Sequence, residues 1–270
     1  MDKTEMSIEV LLSTMHQDDL SIIEKCNIRT SCLIVNQCNK NGYMEKDMPF
    51  GKCRMISTTD RGLSKSRNVA LENSIADICV ICDDDMKYIN GYERIILGAF
   101  NELHDADIIV FNTNSISPNK RPQESLFIKA KRVPWYKTYS SVHIAFKRER
   151  IIENHILFDE RFGTGSNLYS MGEDSLFFVQ THKAKLKSFT YPAIIADLSS
   201  EYSTWFNGYN NKFFYDVGAF LAAAYPRGKH FLKIYYPIRF RRLTKLSART
   251  VLKNIDRGIK GFQNNLPFTG

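Results

Sequence analysis

Apolar and polar positions along the chain change period in a regular order, and that order predicts strands alternating with helices. Ile8 to Ser13 (IEVLLS) reads as a short buried strand and Ser31 to Asn36 (SCLIVN) as a second, with a polar, helical connection containing Asp18 to Lys25 between them. Arg54 to Ser57 predicts a further short strand. Thr58, Thr59 and Asp60 then offer caps to a helix over Leu63 to Asn73. Ala76 to Cys82 (ADICVIC) is almost continuously apolar, as expected of a central parallel strand covered on both faces. Gly91 to Leu103 reads as a helix, Asp107 to Asn112 as a strand, and the polar, proline-containing stretch Ser115 to Arg132 as a loop or edge. Ser141 to Phe146 predicts another strand, Glu173 to His182 an amphipathic helix, and Phe189 to Ala196 a return to the sheet. The reading is therefore α/β, with a mostly parallel central sheet flanked by helices. From Tyr202 onward the pattern turns aromatic, helical and basic, which places a boundary near residue 200: an α/β domain over 1–200 and a helical C-terminal region over 201–270.

Charge sharpens that boundary. The net charge is +8, but residues Tyr225 to Gly270 carry eleven Lys or Arg against one acid, Asp256, so this segment holds +10 and the remainder about −2. The six cysteines all fall in the first third. No basic start followed by an apolar run precedes them, so a reducing, cytoplasmic location is expected. Cys79 and Cys82 spell C-x-x-C inside an apolar run, where a strand would turn neighbouring side chains to opposite faces; a redox or zinc role is not expected. No apolar stretch approaches the roughly 18–20 residues that cross a bilayer, the nearest being the short Val217 to Tyr225 segment.

Three groups of residues carry chemistry. Asp83, Asp84 and Asp85 follow the most apolar strand directly, and like charges crowded in a partly dry place call for a cation. Hard divalent ions accept carboxylate plus phosphate oxygens, and open α/β sheets bind ligands outside the carboxyl ends of their strands. Strand alternation would turn Asp83 and Asp85 the same way and Asp84 the other, making Asp83 and Asp85 the pair to share a metal; a solvated acidic turn is the plainer alternative. Arg61 to Asn68 (RGLSKSRN) places three cations and Gly62 around a helix N-terminus, which suits an anion but also an ordinary solvated helix. Gly163-Thr164-Gly165, then Gly172-Glu173-Asp174, presents two carboxylates at a helix start. They are caps on the dipole, or else a base apart from the metal, as an inverting sugar transfer requires.

In this order and spacing the motifs, from Ile8 to Gly208, resemble the family 2 glycosyltransferases of GT-A (Rossmann-like) fold, particularly bacterial capsule and exopolysaccharide enzymes: Ser13-Thr14, RGLSKSRN, the DDD cluster, FDERFGTG, GED and STWFNGY. The resemblance implies that Thr14, Gln37, Gly62, Arg67, Asp83 and Asp84 line the nucleotide-sugar pocket, Arg67 reaching the nucleoside or phosphate and Asp83 the ribose. It implies that Asp85, with Asp83, binds Mn²⁺ or Mg²⁺. Asp174 would be the general base, with Glu173 orienting it, and Gly165, Glu173 and Trp205 would meet the acceptor. The implied reaction is direct, inverting transfer of a sugar, hexosyl transfer by class, from a UDP-sugar to a hydroxyl of a glycan or polyprenyl-diphosphate-linked acceptor in bacterial surface polysaccharide synthesis. Two departures stand out. Ser13-Thr14-Met15-His16 replaces a Pro-Thr-Tyr-Asn type opening, and Ile194 to Ser200 lacks the late His ligand of many relatives, leaving Asp197 as a stand-in.

The basic, aromatic stretch Tyr225 to Phe262 reads either as a surface for the anionic inner face of the cell membrane or as a helical subdomain packed on the core; nucleic acid is not an expected partner, because no nucleic-acid motif is present. Two other functions fit the same features. A sugar nucleotidyltransferase would also use a metal at a strand end, and a non-enzymatic membrane or nucleic-acid adaptor would use only the basic tail.

Overall fold

The structure is a computed structural model and describes residues 6–116, 127–199 and 208–269. The chain opens with β1 (Ile8–Met15), the single-turn α1 (Ile22–Lys25) and β2 (Ser31–Gln37). The helix expected over Asp18 to Lys25 shrinks to that turn, since the Asp19 carboxylate accepts the Ser21 amide at 2.8 Å and gives the backbone a local alternative. β3 (Gly42–Met48) and β4 (Gly51–Thr58) form an antiparallel hairpin. β3 escapes sequence reading because six of its seven residues are exposed, and a strand without a buried face writes no alternation.

After the hairpin come α2 (Leu63–Asn73), β5 (Ile78–Asp83), β6 (Met86–Tyr88), α3 (Tyr92–Glu102), β7 (Ile108–Ile116) and the two-residue β8 (Lys131–Arg132). A 3-10 turn, Ser141–His143, leads into β9 (Ile144–Lys147), followed by α4 (Arg148–Glu153), α5 (Glu173–Lys183) and β10 (Ser188–Ser199). The helices α6 (Asn211–Ala224), α7 (Lys229–Leu232), α8 (Tyr235–Phe240) and α9 (Ala248–Gln263) complete the described chain.

The sheet runs β3-β4-β2-β1-β5-β9-β7-β10-β6, with β8 on β10. β4, β2, β1 and β5 are mutually parallel, as are β7 and β10. β9 joins the two groups antiparallel to both neighbours, and the outer strands β3 and β6 are antiparallel too. The fold is thus mixed α/β with its parallel core where the apolar runs predicted it. Val10, Leu12, Ile34, Val80 and Cys82 share one buried cluster under the sheet, each contributing on the order of 1.5–3 kcal/mol by burial when the side chain is large. All six cysteines are buried free thiols. Burial pushes Cys53 up to about 11 and Cys79 up to about 12, so neither supplies a thiolate at neutral pH.

Internal contacts divide the chain into two units. The first comprises Met1–Arg61, Lys65–Leu157 and Phe177–Tyr202; the second comprises Gly62–Ser64, Phe158–Leu176 and Ser203–Gly270. The second is built on α6 against α9. Phe214, Val217 and Leu221 meet Val251, Ile255 and Ile259, and the helices cross on glycines: a Cβ on Gly218 would overlap the Ile255 carbonyl oxygen, and one on Gly258 the Tyr215 carbonyl oxygen. The apolar Val217 to Tyr225 segment is therefore packed against α9 within this helix pair. Among the described residues no helix is long and apolar enough to cross a membrane.

Candidate functional site

In the first unit the carboxyl ends of β1, β2 and β5 lie side by side, because these strands are parallel and in register: Ser13 pairs with Asp83, and Met15 with Gln37. Such a row of strand ends opens the crevice in which α/β sheets take ligands. Thr14 and Gln37, both buried, stand at its rim. Asp83 closes β5, and Asp84 and Asp85 form the turn into β6. The strand alternation expected across all three acids therefore ends at Asp83. The chain must reverse to lay β6 beside β10, and a turn aims successive carboxylates by its own geometry rather than by period two.

Each acid has different surroundings. Arg67, buried on α2, donates from one Nη2 to both Asp83 carboxylate oxygens at 3.1 Å. Its guanidinium thereby orients and neutralises Asp83 at the same strand end where a nucleoside or phosphate contact was expected of it. Thr14 donates its hydroxyl to Asp84 Oδ2 at 2.8 Å, tying the end of β1 to the acidic turn. Asp85 is exposed on its surface side, yet partial burial, followed by the charges of Asp83 and Asp84, holds its carboxyl above the usual carboxylate range. Its backbone oxygen accepts the Ser199 amide from β10 at 3.0 Å.

A second layer sets the β1 end. Asn36, fully buried, accepts the Gln17 amide at 2.9 Å, donates to the Gln17 carbonyl at 2.7 Å, and reaches Ser57 Oγ at 3.2 Å. This holds the bend at His16, whose φ is 55°. Ser66 on α2 and Ser13 on β1 join hydroxyls at 2.9 Å, both buried. Arg61 donates to the carbonyls of Cys38 and Thr59 at 2.9 Å each, closing the loops after β2 and β4. Asn36 was not singled out from sequence. Its signal was an amide inside an otherwise apolar strand, where a buried polar group must have partners.

The donor set suits a hard cation only in part. Among the described residues no three His, Cys, Asp or Glu side chains converge into a metal cage. Asp197, the stand-in for a late histidine, lies opposite Lys87 and accepts the Asn114 amide at 2.8 Å. What remains is Asp85, with a carboxylate destabilised by its neighbours, beside Asp83. One or two carboxylates completed by substrate phosphate oxygens is the ordinary provision for Mg²⁺ or Mn²⁺.

The second unit gathers the other motifs. Leu63 donates its amide to the Thr164 carbonyl at 2.9 Å, and Ser64 its hydroxyl to the Phe162 carbonyl at 2.6 Å. Gly165 (φ 79°) passes so close to Gly62 that an added Cβ would lie 3.2 Å from the Gly62 Cα. The RGLS and FGTG segments are thus one built loop pair. Asp159 and Arg161 of the intervening FDER form an ion pair at 2.6 Å, with the guanidinium lying 4.2 Å over the Phe262 ring.

Glu173 and Asp174 occupy the first turn of α5, where acids are favoured by the dipole. The loop leading to them is anchored from below by Asp216 of α6. Fully buried, Asp216 accepts the Ser170 amide at 3.1 Å, the Ser170 hydroxyl at 2.7 Å, and the Lys212 ammonium at 2.8 Å. Asp216 was also missed by sequence, although an acid within NKFFYDVGAF is its signal. The structure thus collects Thr14, Gln37, Arg67, Asp83, Asp84 and Asp85 at one end of the first unit, and Gly62, Gly165, Glu173 and Asp174 in the second. Trp205 lies outside the described residues.

Solved structures share this arrangement of elements. S. aureus TarS 1–349 in complex with UDP-GlcNAc superposes with a TM-score of 0.62 at 15% identity, covering 98% of this chain and 93% of that one. The same protein in complex with UDP gives 0.59 at 14% identity, with the same coverages. The chain therefore has a glycosyltransferase, Rossmann-like fold. Neither a protein-family profile nor a curated protein sequence matches it.

Proposed function

We propose that this chain is an inverting, metal-dependent glycosyltransferase of the family 2 capsule and exopolysaccharide type, moving a sugar from a UDP-sugar to a hydroxyl of a glycan or lipid-linked acceptor. One observation carries the reading: at the carboxyl end of the parallel core, Thr14 is tied to Asp84 and Arg67 to Asp83, so two of the three clustered acids are held in order where a nucleotide diphosphate would meet the sheet. The likeness to a UDP-GlcNAc-bound fold supports it.

In this reading Asp83, held by Arg67, accepts hydrogen bonds from the ribose, and Thr14 and Gln37 bound the base. Asp85, with Asp83, would hold Mn²⁺ or Mg²⁺, which when bound neutralises charge developing on the departing diphosphate. Asp174 takes the proton from the acceptor hydroxyl as its oxygen attacks the anomeric carbon. The new C–O bond forms while the bond to the diphosphate breaks, and the electron pair leaves with the nucleoside diphosphate. Glu173, beside Asp174 on the same helical turn, orients the acceptor, together with Gly165 and Trp205.

Asp174→Asn should leave UDP affinity within twofold of the parent while lowering transfer by about 10²–10⁴, the usual worth of a general base. Transfer at the parent rate removes Asp174 from this role. Asp85→Asn should weaken Mn²⁺-dependent UDP binding in calorimetry by at least tenfold, and equal affinities with and without metal would sink the cation site. Release of pyrophosphate rather than UDP would make the protein a nucleotidyltransferase instead.

A further inference from the structure

We infer that the segment from Gly228 to Lys245 is a membrane-docking face that seats on an anionic lipid bilayer. α7 and α8 are joined by helical hydrogen bonds, Lys233 amide to Lys229 carbonyl at 3.0 Å and Ile234 amide to Phe231 carbonyl at 3.2 Å, so the stretch runs as one broken helix. It has two apolar faces. One carries Tyr236 and Phe240, ring-stacked on each other and packed against the α6–α9 core. The other carries Phe231, Ile234, Tyr235 and Ile238, spaced i, i+3, i+4, i+7 along a single stripe and exposed at 81%, 54%, 56% and 65%. A surface helix needs one apolar face to hold its place; a second, exposed one marks an interaction surface.

The rim of the stripe identifies the occupant. Residues Tyr225 to Ser247 carry seven Lys or Arg and no acid. Lys233 is paired with Asp256, but Arg239, Arg241, Arg242 and Lys245 are exposed and have no carboxylate partner among the described residues. A second copy of this chain would bring the same cations face to face, and like charges would oppose the contact. An anionic bilayer offers both an apolar interior for the stripe and a negative surface for the rim, the combination that in-plane amphipathic helices use. The inference does not depend on the transferase reading, since lipid binding needs neither donor nor acceptor.

The test is co-sedimentation of the 270-residue chain with phosphatidylcholine vesicles, either pure or mixed with anionic phosphatidylglycerol to give a negative surface. Binding is expected to the mixed vesicles only and to weaken with salt. Replacing Arg239, Arg241 and Arg242 with Gln should lower partitioning about a hundredfold, at about fivefold per cation. Phe231→Ser with Ile238→Ser should lower it at least tenfold without shifting the melting temperature, because both side chains are exposed. The double variant separates insertion from mere charge attraction. Three outcomes would overturn the inference: no binding to mixed vesicles at low salt; binding insensitive to the Phe231 and Ile238 changes; or concentration-dependent self-association abolished by those changes with no lipid binding. Loss of transfer with lipid binding intact would fault only the catalytic reading.

Discussion

Asp216→Ala is the substitution whose consequence the structure fixes most closely. The carboxylate is fully buried and receives the Ser170 amide at 3.1 Å, the Ser170 hydroxyl at 2.7 Å and the Lys212 ammonium at 2.8 Å. Hydrogen bonds to a charged group contribute about 1.5–3 kcal/mol each, so the two from Ser170 account for about 3–4 kcal/mol at the lower end of that range. Lys212 is 41% exposed, and water screens such a pair to about 1 kcal/mol or less. Removing the carboxylate also relieves its own desolvation, which returns about 1 kcal/mol or more of this. The net loss is on the order of 3 kcal/mol. At about 2–4 °C per kcal/mol for a chain of this size, the melting temperature should fall by about 6–12 °C. Thermal melts by circular dichroism, with a double-mutant cycle through Ser170→Ala, are the assay. The cycle should show at least about 1 kcal/mol of coupling, as expected within one buried network. A melt within about 1 °C of the parent, or no coupling to Ser170, would refute the reasoning. Because Ser170 lies just ahead of Glu173 and Asp174, the proposed transferase role predicts in addition a fall in transfer rate beyond the loss of folded protein.

Two further expectations follow from different physics. Gly258→Ala would gain about 1 kcal/mol of helix propensity in an open helix, yet its Cβ would overlap the Tyr215 carbonyl oxygen on the facing backbone; a net loss of about 1–3 kcal/mol is expected from overpacking, and a stabilised variant in a urea titration would rule out the close helix crossing. Asp85 titrates above its ordinary value when folded, so its proton favours the folded state at low pH and that contribution is lost as pH rises through the raised value. At neutral pH the ionised carboxylate is a net burden, and Asp85→Asn should raise the metal-free melting temperature by about 1–2 °C, on the scale of exposed charge pairs. Below about pH 4 the difference should vanish. A neutral-pH melt lowered by Asp85→Asn would show the acid cluster to be unstrained.

Much of the first unit was legible from residues alone because its parallel core is buried on both faces. Ile8 to Ser13, Ser31 to Asn36 and Ala76 to Cys82 write burial directly as short, mostly apolar runs, and the acids after the last of them had to stand where the sheet ends. β3 wrote nothing, since an exposed edge strand has no buried face to record. What Asp83, Asp84 and Asp85 face was equally beyond local pattern: their partners Arg67 and Thr14 are 16 and 70 residues away, and a turn, unlike a strand, carries no fixed alternation. Asn36 and Asp216 show the same division. Sequence registers a polar side chain in apolar company, but only the folded chain names the groups it satisfies, because hydrogen bonds are short and directional while the segments they join are distant along the chain. The tail divides likewise: its charge was plain from composition, whereas which of its aromatic rings entered the α6–α9 core and which stayed outside was decided by helix packing.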